Sequence, residues 1–173
     1  MYSGDLFNTG AGDMDNSPIE NLLDFMAPKI GEEIHVGQWL EIDQERINTF
    51  AAVTGDEQWI HIDTDRAVKE SPYGATVAHG FLTLSLLPYL TQSNHPDYFE
   101  QNYPGMKYRV NMGVNKVRFP APVIVGSKIR ARTVLQGAEP AGAAVQVIYK
   151  FTVEIEGKDK PACVAESVVR VFP

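Results

Sequence analysis

The segment formed by residues 78–90, "AHGFLTLSLLPYL", limits the possible fold more than any other stretch of this sequence. On a helix its large apolar residues would cover nearly every side: Phe81, Leu82, Leu84, Leu86, Leu87 and Leu90. A helix that is apolar all round belongs inside a domain, so the rest of the chain must enclose it. Pro88 has no N–H for the carbonyl of Leu84, so we expect a kink or an early end there.

After Met106 the sequence changes to a period of two, which is typical of half-buried strands. In "VQVIYKFTVEI" the residues on one face are Val145, Val147, Tyr149, Phe151, Val153 and Ile155, and in "SKIRARTVL" the inward residues are Ile129, Ala131, Thr133 and Leu135. The alternation in "MKYRVNMGVNKVRF" shifts after Val114 to Val117 and Phe119, which predicts a bulge near Gly113. Together these patterns predict an α+β fold in which an antiparallel sheet wraps around the apolar helix.

Helix signals precede this segment. Residues 17–20, "SPIE", form a capping-box pattern for a helix with an apolar stripe made of Ile19, Leu22, Leu23 and Met26. Asp43 is predicted to cap a second helix, which ends at Gly55 and buries Ile47, Phe50, Ala51 and Thr54. A short third helix is predicted to begin at Thr64 or Asp65 and end at Glu70. We interpret residues 1–16 as a flexible segment and residues 17–173 as one domain.

Composition excludes several classes of function. The net charge of -7 and the lack of a basic run argue against binding to nucleic acids or to anionic membranes. The single cysteine, Cys163, rules out an intramolecular disulfide framework, and we interpret it as a buried, inert thiol. Because the N-terminus lacks a signal peptide pattern and no stretch reaches transmembrane length, we expect a cytoplasmic protein.

The stretch "TGDEQWIHID" contains the pair of residues best suited to chemistry, Asp56 and His61. On a continuous helix their separation would turn them roughly 140° apart. If the helix ends at Gly55, the chain can fold back so that both side chains reach one water molecule. For the isolated pattern, a structural role in which Asp56 caps a turn and His61 packs at the next helix is the alternative. We expect no metal site, because the chain has no HExxH motif and only one cysteine.

The surrounding sequence changes this balance. The stretches "FAAVTGDEQWIHID" and "VAHGFLTLSLL" resemble the signature of the MaoC-like hydratases, the (R)-specific enoyl-CoA hydratase group of the hot dog fold. The later "GVNKVRFPAPVIVGSKIRA" is similar to the strand that follows the helix in that family. The resemblance extends over residues 34–172 and is strongest to the nodulation protein N subset, although Gln58 and Trp59 stand where asparagine and proline are common.

The resemblance implies a central helix over residues 79–92 inside a curved antiparallel sheet, and a homodimer whose interface helps to form an acyl tunnel. It implies reversible (R)-specific hydration of trans-2-enoyl-CoA without a metal or redox cofactor. Asp56 and His61 would be the catalytic pair, with Asp56 taking the proton of water and His61 orienting that water. Ser85 would support the site from the central helix, and the backbone N–H of Gly80 would bind the thioester oxygen.

Two further residues and two rival functions complete these expectations. We interpret His79 as a structural or site-lining residue and His95 as solvated surface. The rival enzyme is a hot dog acyl-CoA thioesterase, which would direct water at the carbonyl carbon. The rival outside catalysis is a non-catalytic subunit that binds acyl-CoA.

Overall fold

The computed structural model describes residues 16–173, so the flexible segment predicted for residues 1–16 lies, apart from Asn16, outside the described residues. In chain order the helices are α1 (Pro18–Met26), α2 (Gln44–Thr54), α3 (Trp59–Ile62), α4 (Thr64–Glu70), α5 (Gly80–Ser85), α6 (Leu87–Leu90) and α7 (Pro96–Asn102). The strands are β1 (Glu33–Val36), β2 (Leu40–Glu41), β3 (Tyr108–Arg118), β4 (Lys128–Ala141), β5 (Ala144–Ile155) and β6 (Cys163–Phe172).

All the strands belong to one antiparallel sheet in the order β1-β4-β5-β6-β3, with β2 also paired to β4. The long strands β4, β5 and β6 are consecutive neighbours because short turns join them. Within residues 16–173, strand β3 pairs only with β6 and therefore forms one edge of the sheet. This edge lies next to the cavity described below.

The inward faces predicted from the period of two are confirmed on β4 and β5. On β4 the buried side chains are Ile129, Ala131, Thr133 and Leu135, and on β5 Tyr149, Val153 and Ile155 are buried on the same side of the sheet. The predicted bulge on β3 is also confirmed, because its register with β6 shifts between Asn111 and Gly113 and again between Val114 and Lys116. The apolar phase of β3, however, is exposed, since no further strand pairs with its outer edge in the described chain.

The central helix is not continuous over residues 79–92, which agrees with the kink or early end expected at Pro88. It consists of α5 and α6, which are separated at Leu86. The physical reason is Pro88, whose ring nitrogen cannot donate to the carbonyl of Leu84, so the α-helical ladder is interrupted one turn earlier. Leu82, Leu87 and Leu90 are buried against the sheet, as expected for an enclosed helix.

Two predictions of burial were wrong. Phe81 on the central helix is 67% exposed, because the single chain covers only part of that helix. Thr54, on the predicted buried face of α2, is exposed because it lies in the last helical position, where its hydroxyl donates instead to the carbonyl of Phe50. Ile47 and Ala51 on that face are buried as predicted.

The predicted helix ends are confirmed. The side chain of Ser17 accepts a hydrogen bond from the N–H of Glu20, whose carboxylate accepts one from the N–H of Ser17. The side chain of Asp43 accepts a hydrogen bond from the N–H of Arg46 at the start of α2. The short helices α3 and α7 were not predicted, because neither carries an apolar stripe long enough to show helical periodicity.

This arrangement, a helix held in an open and curled antiparallel sheet, is the hot dog fold. Cys163 is fully buried at the start of β6, and burial raises the pKa of its thiol to about 11, consistent with an inert thiol. None of the helices in residues 16–173 combines the length and the apolar character needed to cross a bilayer.

Candidate active site

The turn that follows α2 places Asp56. Gly55 ends the helix in the left-handed conformation, with a φ of 76°, and its N–H donates to the carbonyl of Ala51. Glycine adopts this conformation without the strain that a side chain would cause. The chain therefore turns sharply, and the side chain of Asp56 is 55% exposed on the far side of the turn.

His61 lies on the one-turn helix α3 and is tied to two other segments. Its Nδ1 lies 2.7 Å from the carbonyl oxygen of Val77, and the N–H of Val77 donates to the carbonyl of Ile60. The amide of Gln44, at the start of α2, donates to the carbonyl of His61 over 2.8 Å. The imidazole is therefore fixed between the helical region and the segment that leads into the central helix.

His79 lies directly before the central helix and is the third member of the cluster. It is 2% exposed, and its Nε2 lies 2.8 Å from the backbone carbonyl oxygen of Asp56 and 4.0 Å from a carboxylate oxygen of the same residue. Its ring stacks on that of His61 at a centroid distance of 3.7 Å and contacts Phe50 from the other direction. His79 thus positions both members of the pair, which agrees with a site-lining role.

The structure brings Asp56, His61 and His79 together. One carboxylate oxygen and one nitrogen from each imidazole lie within 4.8 Å of one another. A carboxylate oxygen and an imidazole nitrogen at that separation are close enough to share one water molecule, since each hydrogen bond spans about 2.8 Å. Asp56 is exposed and His61 is half-buried, so solvent reaches both side chains.

The backbone carbonyls select the tautomers of both histidines. A carbonyl oxygen can only accept, so Nδ1 of His61 and Nε2 of His79 carry the protons that they donate. In neutral His61 the lone pair is therefore on Nε2. Burial lowers the pKa of His61, as does the neighbouring His79, whereas the bond to Val77 and the charge of Asp56 oppose the shift. At neutral pH His61 is thus a proton acceptor.

The same three residues do not form a metal centre in this arrangement. Imidazole lone pairs lie in the ring plane, and the planes of His61 and His79 are only 27° apart in a stack. Lone pairs in the planes of two stacked rings lie in nearly parallel planes, so they do not converge on one ion at about 2.1 Å. One nitrogen of each ring is also engaged with a backbone carbonyl.

Gly80 begins the central helix beside this cluster. Its N–H belongs to the first turn, where the helix itself provides no acceptor. A Cβ added at Gly80 would lie 2.9–3.0 Å from ring atoms of Phe119, which is 40% exposed. Only glycine therefore allows the ring of Phe119 to pack directly on this backbone.

Ser85 lies elsewhere. It ends α5 and lines a cavity of about 870 Å³ between the second half of the central helix and the inner face of the sheet. Five residues of helix place it about 7.5 Å along the axis from Gly80. Within residues 16–173, no hydrogen bond joins Ser85 to Asp56, His61 or Gly80.

A family model described as "MaoC like domain" matches residues 25–155, most of the chain. The chain belongs to the MaoC-like family. In sequence it is 51% identical over 146 residues to 3-hydroxyacyl-thioester dehydratase Z of Mycobacterium tuberculosis, covering 84% of this chain and 92% of that protein. It is 44% identical to nodulation protein N of Rhizobium leguminosarum bv. viciae, covering 79% and 83% respectively.

Solved structures agree on the fold of this MaoC-like protein. The (R)-hydratase from A. caviae involved in PHA biosynthesis superposes with a TM-score of 0.60 at 23% identity, covering 81% of this chain and 98% of that one. This likeness supports the hot dog architecture. The roles of individual residues depend on the geometry described above.

Of the site residues predicted for this MaoC-like protein, Asp56 and His61 lie in one cluster, Gly80 directly follows His79 of that cluster, and Ser85 lines the separate cavity. His79, which was expected to be structural or site-lining, is the third member of the cluster. Its position directly before Gly80 in "AHG" was the available signal, but its contact with Asp56 joins residues 23 positions apart, which no local pattern shows.

Proposed function

We propose that this protein catalyses the reversible (R)-specific hydration of trans-2-enoyl thioesters, with acyl-CoA as the substrate. The observation that carries the proposal is the cluster in which a carboxylate oxygen of Asp56 and a nitrogen of His61 lie within 4.8 Å. The relationship to a protein named 3-hydroxyacyl-thioester dehydratase supports the reaction class, since dehydration of a 3-hydroxyacyl thioester is the same reaction in reverse.

The tautomer of His61 suggests how the pair acts on water. Neutral His61 offers the lone pair of Nε2 as proton acceptor, and the Asp56 carboxylate accepts the second hydrogen of the same water. This gives the role of proton acceptor to His61, whereas the expectation from the resemblance gave it to Asp56. The oxygen of the activated water bonds to C3 while the C2–C3 double bond opens toward the thioester carbonyl.

The proton count then balances within the pair. One proton leaves the water for the pair, and one proton passes from the pair to C2, so that both groups end as they began. Between these steps negative charge lies on the thioester oxygen as an enolate. The N–H of Gly80 has no acceptor in its own helix and would stabilise that charge. Ser85 would support the acyl part of the substrate from the cavity wall.

The proposal includes a homodimer, in which two copies of this chain associate. The edge strand β3 exposes a row of apolar side chains formed by Tyr108, Val110, Met112 and Val114, each between 44% and 54% exposed. A free edge strand with apolar side chains favours pairing with another strand. A second copy on this edge would also close the open side of the cavity, because Tyr108 and Val114 line it.

The direct test is loss of the conjugated enoyl-thioester absorbance with crotonyl-CoA and with a longer trans-2-enoyl-CoA. We expect Asp56→Asn to lose at least a hundredfold in kcat, in the range that general acid–base catalysis provides. Glu57→Gln is the matched control, because Glu57 is the neighbouring exposed carboxylate and lies outside the cluster. Turnover of Asp56→Asn at the rate of the control would refute the mechanism.

The same samples separate hydration from thioester hydrolysis. Hydration leaves the thioester bond intact, whereas a thioesterase releases free CoA thiol from the same substrate. Release of thiol in step with the loss of absorbance would assign the protein to the rival enzyme class. Tight binding of a saturated acyl-CoA with no conversion of any enoyl chain would assign it to the binding class.

A further inference from the structure

The cavity beyond Ser85 is lined in a way that a simple fatty acyl chain does not require. Apolar residues such as Leu87 and Val169 form part of its wall. The wall also contains four tyrosines, two buried threonines and two cations, Lys107 and Arg109, and these polar groups reach it from different elements of the fold. A methyl-ended chain gains nothing from such groups, and covering them without hydrogen bonds costs free energy.

Three of the tyrosines form one group: Tyr98 and Tyr103, from α7 and the residue after it, and Tyr149 from β5. The fourth, Tyr108 on β3, is 54% exposed. The hydroxyls of Tyr103 and Tyr149 are hydrogen-bonded to each other, and both residues are buried, at 2% and 4% exposed. Burial raises the pKa of Tyr98 and Tyr149, so their hydroxyls keep their protons and remain donors. The ring of Tyr98 lies 6.1 Å from that of Tyr103, which makes the three a continuous group.

Thr133 adds a hydroxyl that has no partner among the described residues. It lies at an inward position of β4, is 1% exposed, and lines the cavity. Val134, the next residue, shows that a β-branched hydrocarbon is compatible with this strand. A buried hydroxyl without a partner costs free energy, so its presence in the wall indicates a bound group that completes its hydrogen bonding.

Arg109 provides a positive charge at the same cavity. Its guanidinium donates to the hydroxyl of Ser93 and to the side-chain oxygen of Asn94, both over 2.9 Å. Both acceptors are neutral, and within residues 16–173 no carboxylate forms an ion pair with this arginine. The guanidinium also lies 5.8 Å from the centroid of Tyr103. A guanidinium has five N–H donors, so several remain for a ligand.

We propose that the acyl group of the substrate ends in a carboxylate, which binds in this cavity at Arg109 with hydrogen bonds from Thr133 and the tyrosine group. All these groups donate, and a carboxylate is the end group that only accepts. The proposal rests on the hydration of enoyl thioesters proposed above and specifies its substrate: the CoA thioester of an unsaturated dicarboxylic acid. The other cation of the wall, Lys107, donates to the carbonyl oxygen of Pro173 over 3.1 Å, whereas Arg109 has only neutral acceptors within residues 16–173.

The test compares two pairs of substrates, and within each pair only the terminal group differs. One pair is hexenoyl-CoA and its counterpart with an ω-carboxylate, and the other pair is decenoyl-CoA and its counterpart with an ω-carboxylate. For at least one length we expect kcat/KM to be tenfold or more higher for the carboxylate. In Arg109→Gln this preference should fall at least tenfold, and Arg109→Lys should restore part of it. Lys116→Gln is the matched control, because Lys116 is a cation of the same strand, with its side chain 79% exposed, outside the cavity.

Thr133→Val gives a second, independent variant that preserves shape. It should lower the preference for the carboxylate while leaving the thermal midpoint unchanged or raised, since it removes a buried hydroxyl without a partner. This variant decides the matter even if Arg109→Gln fails to fold. A wild-type preference for methyl-ended chains at both lengths, or a preference that neither variant changes, overturns the proposal.

Failure of this proposal is distinguishable from failure of the reaction. Hydration of methyl-ended chains alone leaves the proposed function in place and refutes the carboxylate. If no enoyl thioester is converted, the proposed reaction fails. Calorimetry with saturated acyl-CoA and with its ω-carboxylate counterpart then tests whether the cavity binds a carboxylate. Tenfold tighter binding of the carboxylate that requires Arg109 supports the proposal, and equal binding overturns it.

Discussion

Gly37 offers the sharpest test of how the central helix is held in the sheet. It lies between β1 and β2, and its N–H donates to the carbonyl of Ala131 over 2.8 Å. A Cβ added there would overlap the carbonyl oxygen of Leu90 and lie 3.1 Å from its carbonyl carbon. Non-bonded atoms attract best at about 3.5–4.0 Å, so Gly37→Ala must separate two backbone segments.

The expected cost follows from these contacts. Overpacking costs about 1–3 kcal/mol, and loss of the bond to Ala131 adds about 1 kcal/mol. We therefore expect Gly37→Ala to lower the free energy of unfolding by about 2–4 kcal/mol. For a chain of 173 residues this corresponds to a thermal midpoint lower by about 4–16 °C. Denaturant titration and a thermal scan would both measure it.

Gly137→Ala is the matched control on β4. A Cβ at Gly137 would meet no atom within 4 Å, and its φ lies outside the left-handed region. We expect this variant to be as stable as the wild type, or more stable by up to about 1 kcal/mol, because alanine restricts the unfolded chain. If the two variants differed by less than about 0.5 kcal/mol, the close packing of Gly37 on Leu90 would be refuted.

Two further predictions concern the site. Because burial lowers the pKa of His61 below its ordinary value of 6.5, His61 stays in its proton-accepting form at neutral pH. The midpoint of the acidic limb of the kcat/KM profile should thus lie below pH 6.5; a midpoint above that pH would contradict neutral His61 as the acceptor. Gly80→Ala should leave the thermal midpoint within about 3 °C of wild type, because the atoms that the added Cβ meets belong to the side chain of Phe119, which is 40% exposed and has room to shift toward solvent. Its turnover should drop at least tenfold, and unchanged turnover would argue against the N–H of Gly80 as the thioester donor.

The strands and helix ends were predictable because each depends on a local signal. Alternation fixed the inward face of β5, and Gly55 marked the end of α2 because the left-handed conformation strongly favours glycine. The bulge on β3 was visible as a change of phase near Gly113. Such signals need only a few neighbouring residues, so a single sequence contains them.

The exposed apolar face of β3 could not be predicted in the same way. Alternation shows that Val110 and Met112 share a face, but it does not show whether anything covers that face. An edge strand and a central strand can show the same alternation of apolar and polar residues. They differ in the elements that pair with them or cover them, and the sequence of one strand does not show those elements. The same limit explains Phe81, whose exposure depends on how far the single chain wraps around the helix.

The candidate site also has one part that local sequence predicts and another part that it does not. The proximity of Asp56 and His61 followed from a helix stop and a short turn, both local features. The contact of His79 with Asp56, and the assembly of Tyr149, Thr133 and Arg109 around one cavity, join distant positions of the chain. Each of those residues looks ordinary in its own strand or turn, and only the folded sheet gives them a common function.

Pro88 connects the two parts of the site. Because it interrupts the ladder at Leu84, α5 ends at Ser85, and Leu84, Ser85, Leu87 and Pro88 all line the cavity. The other end of α5 carries Gly80, beside the proposed catalytic pair. A thioester held at Gly80 would have to extend about 7.5 Å along the helix to reach Ser85, and the polar wall lies beyond. Under the two proposals, binding at Gly80 would fix the reacting carbons and the wall around Arg109 would select the end of the chain, so changes at one end should affect specificity without changing the chemistry at the other.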